Sequence, residues 1–216
     1  MLESKVGGSA LTEFLAFVDS YFQQGMYPGS PEVATALMRD QDRAIFMEKH
    51  NSEIEVLKGH YFRDARIAIH HRDGNEGLVG LVPPSIKRGL VLMDPAYELS
   101  GDYKLAVKTL KASYKKWATG TYALWYPMLA KAKNQDTFMQ QAFSDPCFKS
   151  CLLLKFWVKP QSVDTGMHGS AMLVINPPWQ FEEKMDRMLA ELLSTIGSGD
   201  GGYSIDWLVN PEQSRD

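Results

Sequence analysis

The chain has 216 residues, 44% of them hydrophobic and 23% charged, and a formal net charge of −3. That length suits one sizeable domain with a proper core, and the ordinary apolar and charged fractions exclude a disordered or fibrous class. The small negative charge excludes a protein that coats nucleic acid by bulk electrostatics, although a local basic face remains open.

The first residues, MLESKVGGSALTEF, lack the basic flank and apolar stretch of a signal peptide. No apolar run approaches the ~20 residues needed to span a bilayer, so a cytoplasmic protein with no membrane partner is expected. LTEFLAFVDSYF (11–22) carries apolar residues at helical spacing and stops before the turn Gly25-Met26-Tyr27-Pro28-Gly29. The next helix runs through PEVATALMRD, with Ser30 as its N-cap and Pro31 at its first position. RAIFME (43–48), ARIAIHH (65–71) and RGLVLMD (88–94) read as strands. YKLAVKTLKASYKKW (103–117) is an amphipathic helix, TYALWYP (121–127) a strand, and the segment around 129–142 helical. CLLLKFWV (151–158) and SAMLVINP (170–177) are strands joined by the loop KPQSVDTGMHG. A long helix, FEEKMDRMLAELLSTI (181–196), and a last strand, GYSIDWLV (202–209), complete an alternating α/β pattern. The early strands lack polar alternation, which suggests cover on both faces and a mostly parallel sheet. Cys147 and Cys151 do not form the Cys-x-x-Cys spacing of a redox or zinc site and read as bystander thiols.

Open parallel sheets bind ligands outside the carboxyl ends of their strands. Three successive strands end in or just before an acid: Glu48, Asp73 and Asp94. If the strands are parallel, these carboxylates line one rim, where an acid can accept ribose hydroxyls or an adenine amine. Two strand ends share one grammar, Asp94-Pro95-Ala96-Tyr97 and Asn176-Pro177-Pro178-Trp179. The first strand is followed by a helix and another strand, as in a βαβ unit. The second follows its predecessor across a loop without a crossover helix, which implies an antiparallel hairpin. Asn176 should therefore cap the opposite rim, leaving the Asp94 tetrapeptide as the chemical candidate.

The exocyclic amine of adenine is a weak nucleophile because its lone pair is delocalised into the ring. The Asp94 carboxylate and the Pro95 carbonyl could accept its two hydrogens and free that pair, with Asp94 taking the proton as the new bond forms. Tyr97 would offer a flat face to a base drawn out of its stack. Positioning would then supply most of the catalysis.

RGLVLMDPAYE, KKWATGTYALWYP and GSAMLVINPPW, in this order and spacing, resemble the bacterial 23S rRNA adenine-N(6) methyltransferases of the J type. The same proteins are also associated with the use of external DNA as a nutrient. The resemblance begins near YPGSP and covers nearly the whole chain. It implies a class I, S-adenosylmethionine-dependent methyltransferase fold, Rossmann-like, with a mostly parallel sheet, a C-terminal antiparallel hairpin and the first strand missing. Residues 1–29 would be the remnant of a helical insertion and residues 30–216 a single truncated methyltransferase core. By the same resemblance Ser30, Glu48, Asp73, Gly74 and Asp94 would contact S-adenosylmethionine, and Asp94 would be the catalytic acceptor beside donor and target amine. The partner implied is 23S rRNA, protein-free or in an early assembly form, with the enzyme a monomer.

Two departures accompany the resemblance. The family tetrapeptide is Asp-Pro-Pro-Tyr, and Ala96 replaces its third residue, which relaxes the backbone but keeps both acceptors. Family members also carry roughly seventy further N-terminal residues, including a first strand and a loop whose glycines let the backbone approach the cofactor. GSGDGG (197–202) follows a helix and precedes a strand, so it reads as a connection and does not replace that loop.

Lys104, Lys108, Lys111 and Lys115 recur at helical spacing, with Lys116 adjoining, either as a solvated face or as a stripe for RNA phosphates. His70 and His71 lack a third ligand at useful spacing, and no metal is expected. His168, in the loop after 158, would sit over the active rim and touch RNA if the strand before it runs parallel to the Asp94 strand. Trp117, Tyr122, Trp125 and Tyr126 alternate along a strand and read as core. Competing readings are a non-catalytic nucleic-acid-binding remnant and a DNA adenine methyltransferase. Hydride transfer is disfavoured, because no strand runs into Gly-x-Gly-x-x-Gly and a helix.

Overall fold

A computed structural model describes residues 9–130, 133–161, 166–197 and 199–211. Residues 1–8, 162–165 and Ser198 therefore place parts of the leader, loop and GSGDGG readings outside the described residues. The chain divides into two compact units, Met1–Gly77 and Leu78–Asp216. Among the described residues no helix is long and apolar enough to cross a membrane.

The first unit opens with α1 (Ala10–Phe22), whose N-terminus is closed by the Ser9 hydroxyl accepting from the Thr12 N–H. In α2 (Ser30–Leu37) the cap is Gly29, not Ser30, which becomes the first helical residue. The extended backbone of Gly29, φ −73° and ψ 173°, ends the preceding turn one residue earlier than the sequence suggests. The Glu32 carboxylate accepts from the Tyr21 and Tyr61 hydroxyls and ties α1 and α2 to α3 (Asn51–Tyr61). That helix is the crossover between β1 (Ala44–Glu48) and β2 (Ile67–His71), which pair in parallel from Ala44↔Ile67 to Glu48↔His71. It seats Ile54, 1% exposed, as its buried residue. α4 (Gly74–Leu81) follows β2 closely enough that a Cβ on Gly77 would lie 2.4 Å from the Met47 sulfur. A side chain there would have to push the flexible Met47 thioether aside.

The second unit contains β3 (Leu90–Met93), α5 (Asp102–Lys116), β4 (Thr121–Leu129), α6 (Lys133–Phe143), β5 (Cys151–Trp157), β6 (Met167–Ile175), α7 (Phe181–Ile196) and β7 (Gly202–Val209). Its five strands stand in the order β3-β4-β6-β5-β7. Only β3 and β4 are parallel neighbours; β6 is antiparallel to both β4 and β5, and β7 is antiparallel to β5. The sheet is thus mixed rather than mostly parallel, because β6 inserts between two strands of one direction and β7 adds a reversed edge. The C-terminal hairpin is present as expected, with β6 starting at Met167 instead of residue 170.

Burial explains the layering. Tyr122, Leu124 and Tyr126 of β4 are fully buried on the side of α5 and α6, whose Ala106, Leu110, Met139 and Phe143 are also closed to solvent. On the opposite face Leu152, Leu154 and Val174 pack with Phe181 and Met185 of α7 and with Ile205 and Trp207 of β7. Each such side chain contributes about 1.5–3 kcal/mol by leaving water. At the β3 edge the cover stops: Leu90 and Leu92 are 66% and 52% exposed.

Candidate functional site

The carboxyl end of β3 carries the tetrapeptide. Met93 is buried, Pro95 lacks an N–H and ends the ladder, and Asp94 between them reaches solvent. Among the described residues the Asp94 carboxylate has no hydrogen-bond or ion-pair partner. Partial burial raises its affinity for a proton above that of an ordinary carboxyl. Tyr97 adopts φ +54°, the left-handed region that disfavours a bulky residue. Its hydroxyl donates to the Trp125 carbonyl at 2.7 Å, and its ring centre lies 4.4 Å from that of Tyr103. Only 9% of the residue is exposed. Burial, and after it the Tyr103 and Asp94 charges, push its phenol far up. The ring forms the underside of the turn instead of the open platform that the sequence suggests.

In the first unit, parallel pairing brings the ends of β1 and β2 to one rim, where Glu48 faces His71 and Asp73 follows two residues later. Glu48 accepts from the His50 N–H at 2.6 Å. Asp73 accepts from the Asn75 N–H at 2.8 Å and pairs with exposed Lys49 at 3.3 Å. Burial pushes the Asp73 carboxyl up, but these partners outweigh it and leave it below the usual range. Ser30 is exposed at the start of α2, and Gly74 starts α4 with no atom within 4 Å of a hypothetical Cβ. The exposed His71 ring meets the Lys49 carbonyl at 3.1 Å. Among the described residues no group of three potential metal ligands exists.

The second strand-proline motif is on the rim away from Asp94, as the hairpin argument requires. Asn176 follows Ile175, which pairs with Tyr122 near the start of β4. Its amide donates to the Ala118 and Gly120 carbonyls at 2.9 and 2.8 Å, while its own carbonyl accepts from Thr121 Oγ1 at 3.0 Å. Its φ of +51° suits Asn better than most residues. This is a structural cap.

Along α5, Lys104, Lys108 and Lys115 are exposed, whereas Lys111 turns to Asp145 at 2.6 Å and leaves the expected stripe. His168 is the second residue of β6, not part of a loop, and is 6% exposed. It does sit on the Asp94 rim, because β6 starts opposite the end of β4. Trp117, Tyr122 and Tyr126 are core, as expected, and Trp125 is half-buried. Sequence reasoning missed Tyr103 and Asp136. The latter accepts from Tyr126 and Gln140 and pairs with Lys155 at 2.6 Å. The polar residue inside the first turn of α6 was the one available signal.

A crystal structure of a protein from Legionella pneumophila superposes with a TM-score of 0.80 at 29% identity, covering 89% of this chain and 73% of that one. The fold is α/β with a mixed sheet, of the class I methyltransferase type. A family model described as ribosomal RNA large subunit methyltransferase D, RlmJ, matches residues 11–209. The chain belongs to this family. It is 37% identical over 187 residues to the ribosomal RNA large subunit methyltransferase J of Haemophilus influenzae, covering 86% of this chain and 66% of that protein. The namesake from Escherichia coli K12 is 37% identical over 184 residues, with coverages of 85% and 65%. The chain thus spans about two thirds of the length of these curated relatives.

Proposed function

We propose that this chain methylates the exocyclic amine of an adenine in 23S rRNA, using S-adenosylmethionine, as a monomer in the cytoplasm and without a metal. The observation that carries the reading is the state of Asp94. Of the three strand-end acids it alone is uncommitted, and it sits on an accessible turn that Tyr97 braces. The relatives' names, which specify ribosomal RNA methylation, support the substrate class.

The residues present fit the donor. Glu48 and Asp73, carboxylates at parallel strand ends, suit nucleoside hydroxyls and the methionyl amine, with Ser30 and Gly74 beside helix N-termini. When bound, S-adenosylmethionine supplies an electrophilic methyl group. The Asp94 carboxylate and the Pro95 carbonyl accept the two amine hydrogens and localise the nitrogen lone pair. Asp94 would then take one proton as the nitrogen–carbon bond forms at the expense of the donor's sulfur–methyl bond, the donor leaving as a neutral thioether. Tyr97 holds the turn, and Lys104 and Lys108 on the exposed face of α5 take RNA phosphates.

Transfer of labelled methyl groups to undermethylated 23S rRNA tests this. Asp94→Ala should lower turnover at least ~100-fold, the range of a lost general base, while the variant still melts cooperatively and no less stably than the parent at neutral pH. Unchanged turnover would sink the assignment. Preferential methylation of a DNA duplex over rRNA would select the DNA reading instead.

A further inference from the structure

A cavity of about 300 Å³ opens on the Asp94 rim, lined by Met128, Lys155, Trp157, Gln161, His168 and Ser204. Register explains why these residues meet. Gly169 of β6 and Gly202 of β7 both pair with Trp157 of β5, while Ser204 pairs with Lys155. A Cβ on Gly202 would lie 2.5 Å from the indole, so the ring is laid across the glycine and fixed there. The Lys155 charge is neutralised by Asp136 at 2.6 Å, and the Ser204 hydroxyl is turned to Asp206 at 2.9 Å. The Gln161 amide donates to the Ala130 carbonyl at 3.2 Å.

His168 is different. It is 6% exposed, and among the described residues its Nδ1 has no hydrogen-bond partner. Burial makes the ring harder to protonate, against the pull of the Met128 backbone that hydrogen-bonds it. A neutral ring has one donor and one acceptor nitrogen, and with the proton on Nε2 the unpartnered Nδ1 is the acceptor. A buried acceptor without a donor is costly, and a ligand N–H would relieve it. The cavity therefore combines an aromatic face and a buried ring nitrogen without a partner, with the exposed Lys159 close enough to oppose protonation of His168. An aromatic face beside an edge acceptor matches a nucleobase, which single-strand readers stack on an aromatic ring and hydrogen-bond at its edge.

We propose that this cavity receives the base of an RNA nucleotide flanking the target adenine, with Trp157 as the stacking face and His168 Nδ1 as the edge acceptor. The inference rests on the methyltransferase reading for its RNA source. The lining strands stand up to four spacings of ~4.8 Å from β3, and Asp94 is level with Trp125, about three residues short of Met128, so roughly 15–20 Å separates the cavity from Asp94, within reach of a nearby nucleotide on the same strand.

The test uses the intact chain with ¹⁵N-labelled histidine, titrated with a single-stranded RNA pentanucleotide and, separately, with AMP. The pentanucleotide should move the His168 Nδ1 resonance and bind at least ~10-fold tighter than AMP. Trp157→Leu should weaken it about tenfold, the scale of one lost base–aromatic stack. Gly202→Ala should do the same by displacing the indole, and melting curves of both variants check that they fold. An unmoved His168 resonance in the presence of bound RNA overturns the proposal, as does AMP binding as tightly as the pentanucleotide. Binding without methyl transfer by the parent chain would count against the methyltransferase reading alone, and transfer without a His168 response against the cavity alone.

Discussion

Asp94 and Tyr97 lie three residues apart and are held in opposite ways. Asp94 has freedom and a raised proton affinity, whereas Tyr97 is pinned by a hydrogen bond and a neighbouring ring at a strained φ. An acceptor must be ionised to work, so the acid limb of methyl transfer should fall at a pH above the ~3.9 of an unperturbed Asp. A rate profile against pH reads this directly, and a limb at or below that value would contradict it. The stability contribution of Asp94 has the same origin: the folded state holds its proton more tightly, so stability from this group is lost as pH rises through the raised value. Asp64 and Asp145 behave in the reverse sense. Hydrogen bonds from Arg66 and Lys111 hold them at about 2, so what they contribute is lost as pH falls toward that value. At Tyr97 two substitutions separate the strut from the strain. Tyr97→Phe removes the bond to Trp125 and should destabilise by about 1 kcal/mol, while lowering kcat more than it raises KM. Tyr97→Gly relieves the φ but loses the ring packing, and should cost more than Phe in chemical denaturation.

At the scale of elements, the same local grammar at β3 and β6 ends on opposite rims because direction, not composition, decides what a strand end faces. Asn176→Ala should cost about 2 kcal/mol through its two amide bonds, yet leave turnover per folded molecule unchanged. A loss of transfer as large as that of Asp94→Ala would mean that the chemistry belongs to the other rim. This distinction was legible in the sequence, since a missing crossover helix implies a hairpin. The helices α1, α5 and α7 were legible too, because apolar residues recur at helical spacing along their sequences. α3 was not read: Ile54 is its single buried residue, and its apolar set of Ile54, Leu57 and Tyr61 is short and set among polar and charged residues. The start of β6 was hidden because Met167, His168 and Gly169 look like a turn and become strand only by pairing with Leu129, Met128 and β5. Apart from His168, which the sequence already placed over this rim, the cavity residues escaped for a related reason. They are spread from residue 128 to 204, and only strand register assembles them.

At the scale of the molecule, each unit has its own sheet, and the sheet of the second is unevenly covered. α7 shields the β5–β6–β7 side, while Leu90 and Leu92 remain open at the β3 edge. An exposed apolar edge strand invites pairing with another chain. Leu92→Lys should reduce concentration-dependent light scattering and shift the unfolding free energy by no more than about 0.5 kcal/mol, as for other surface substitutions. Scattering unchanged by the substitution would show that this edge does not drive association.

The insertion of β6 between β4 and β5 also sets a timetable for synthesis. β5 contains four consecutive buried residues, Cys151–Leu154, and both strands that pair with it come later in the chain. At a translation rate of ~5–20 residues per second, the most hydrophobic strand waits several seconds outside any sheet. β4 waits longer, with only β3 beside it. The first unit has all its pairing partners by residue 71 and can form during that interval. A nascent chain stalled between residues 157 and 167 would therefore hold a folded amino-terminal unit and an unsheltered β5, the stage at which a holding chaperone would matter most.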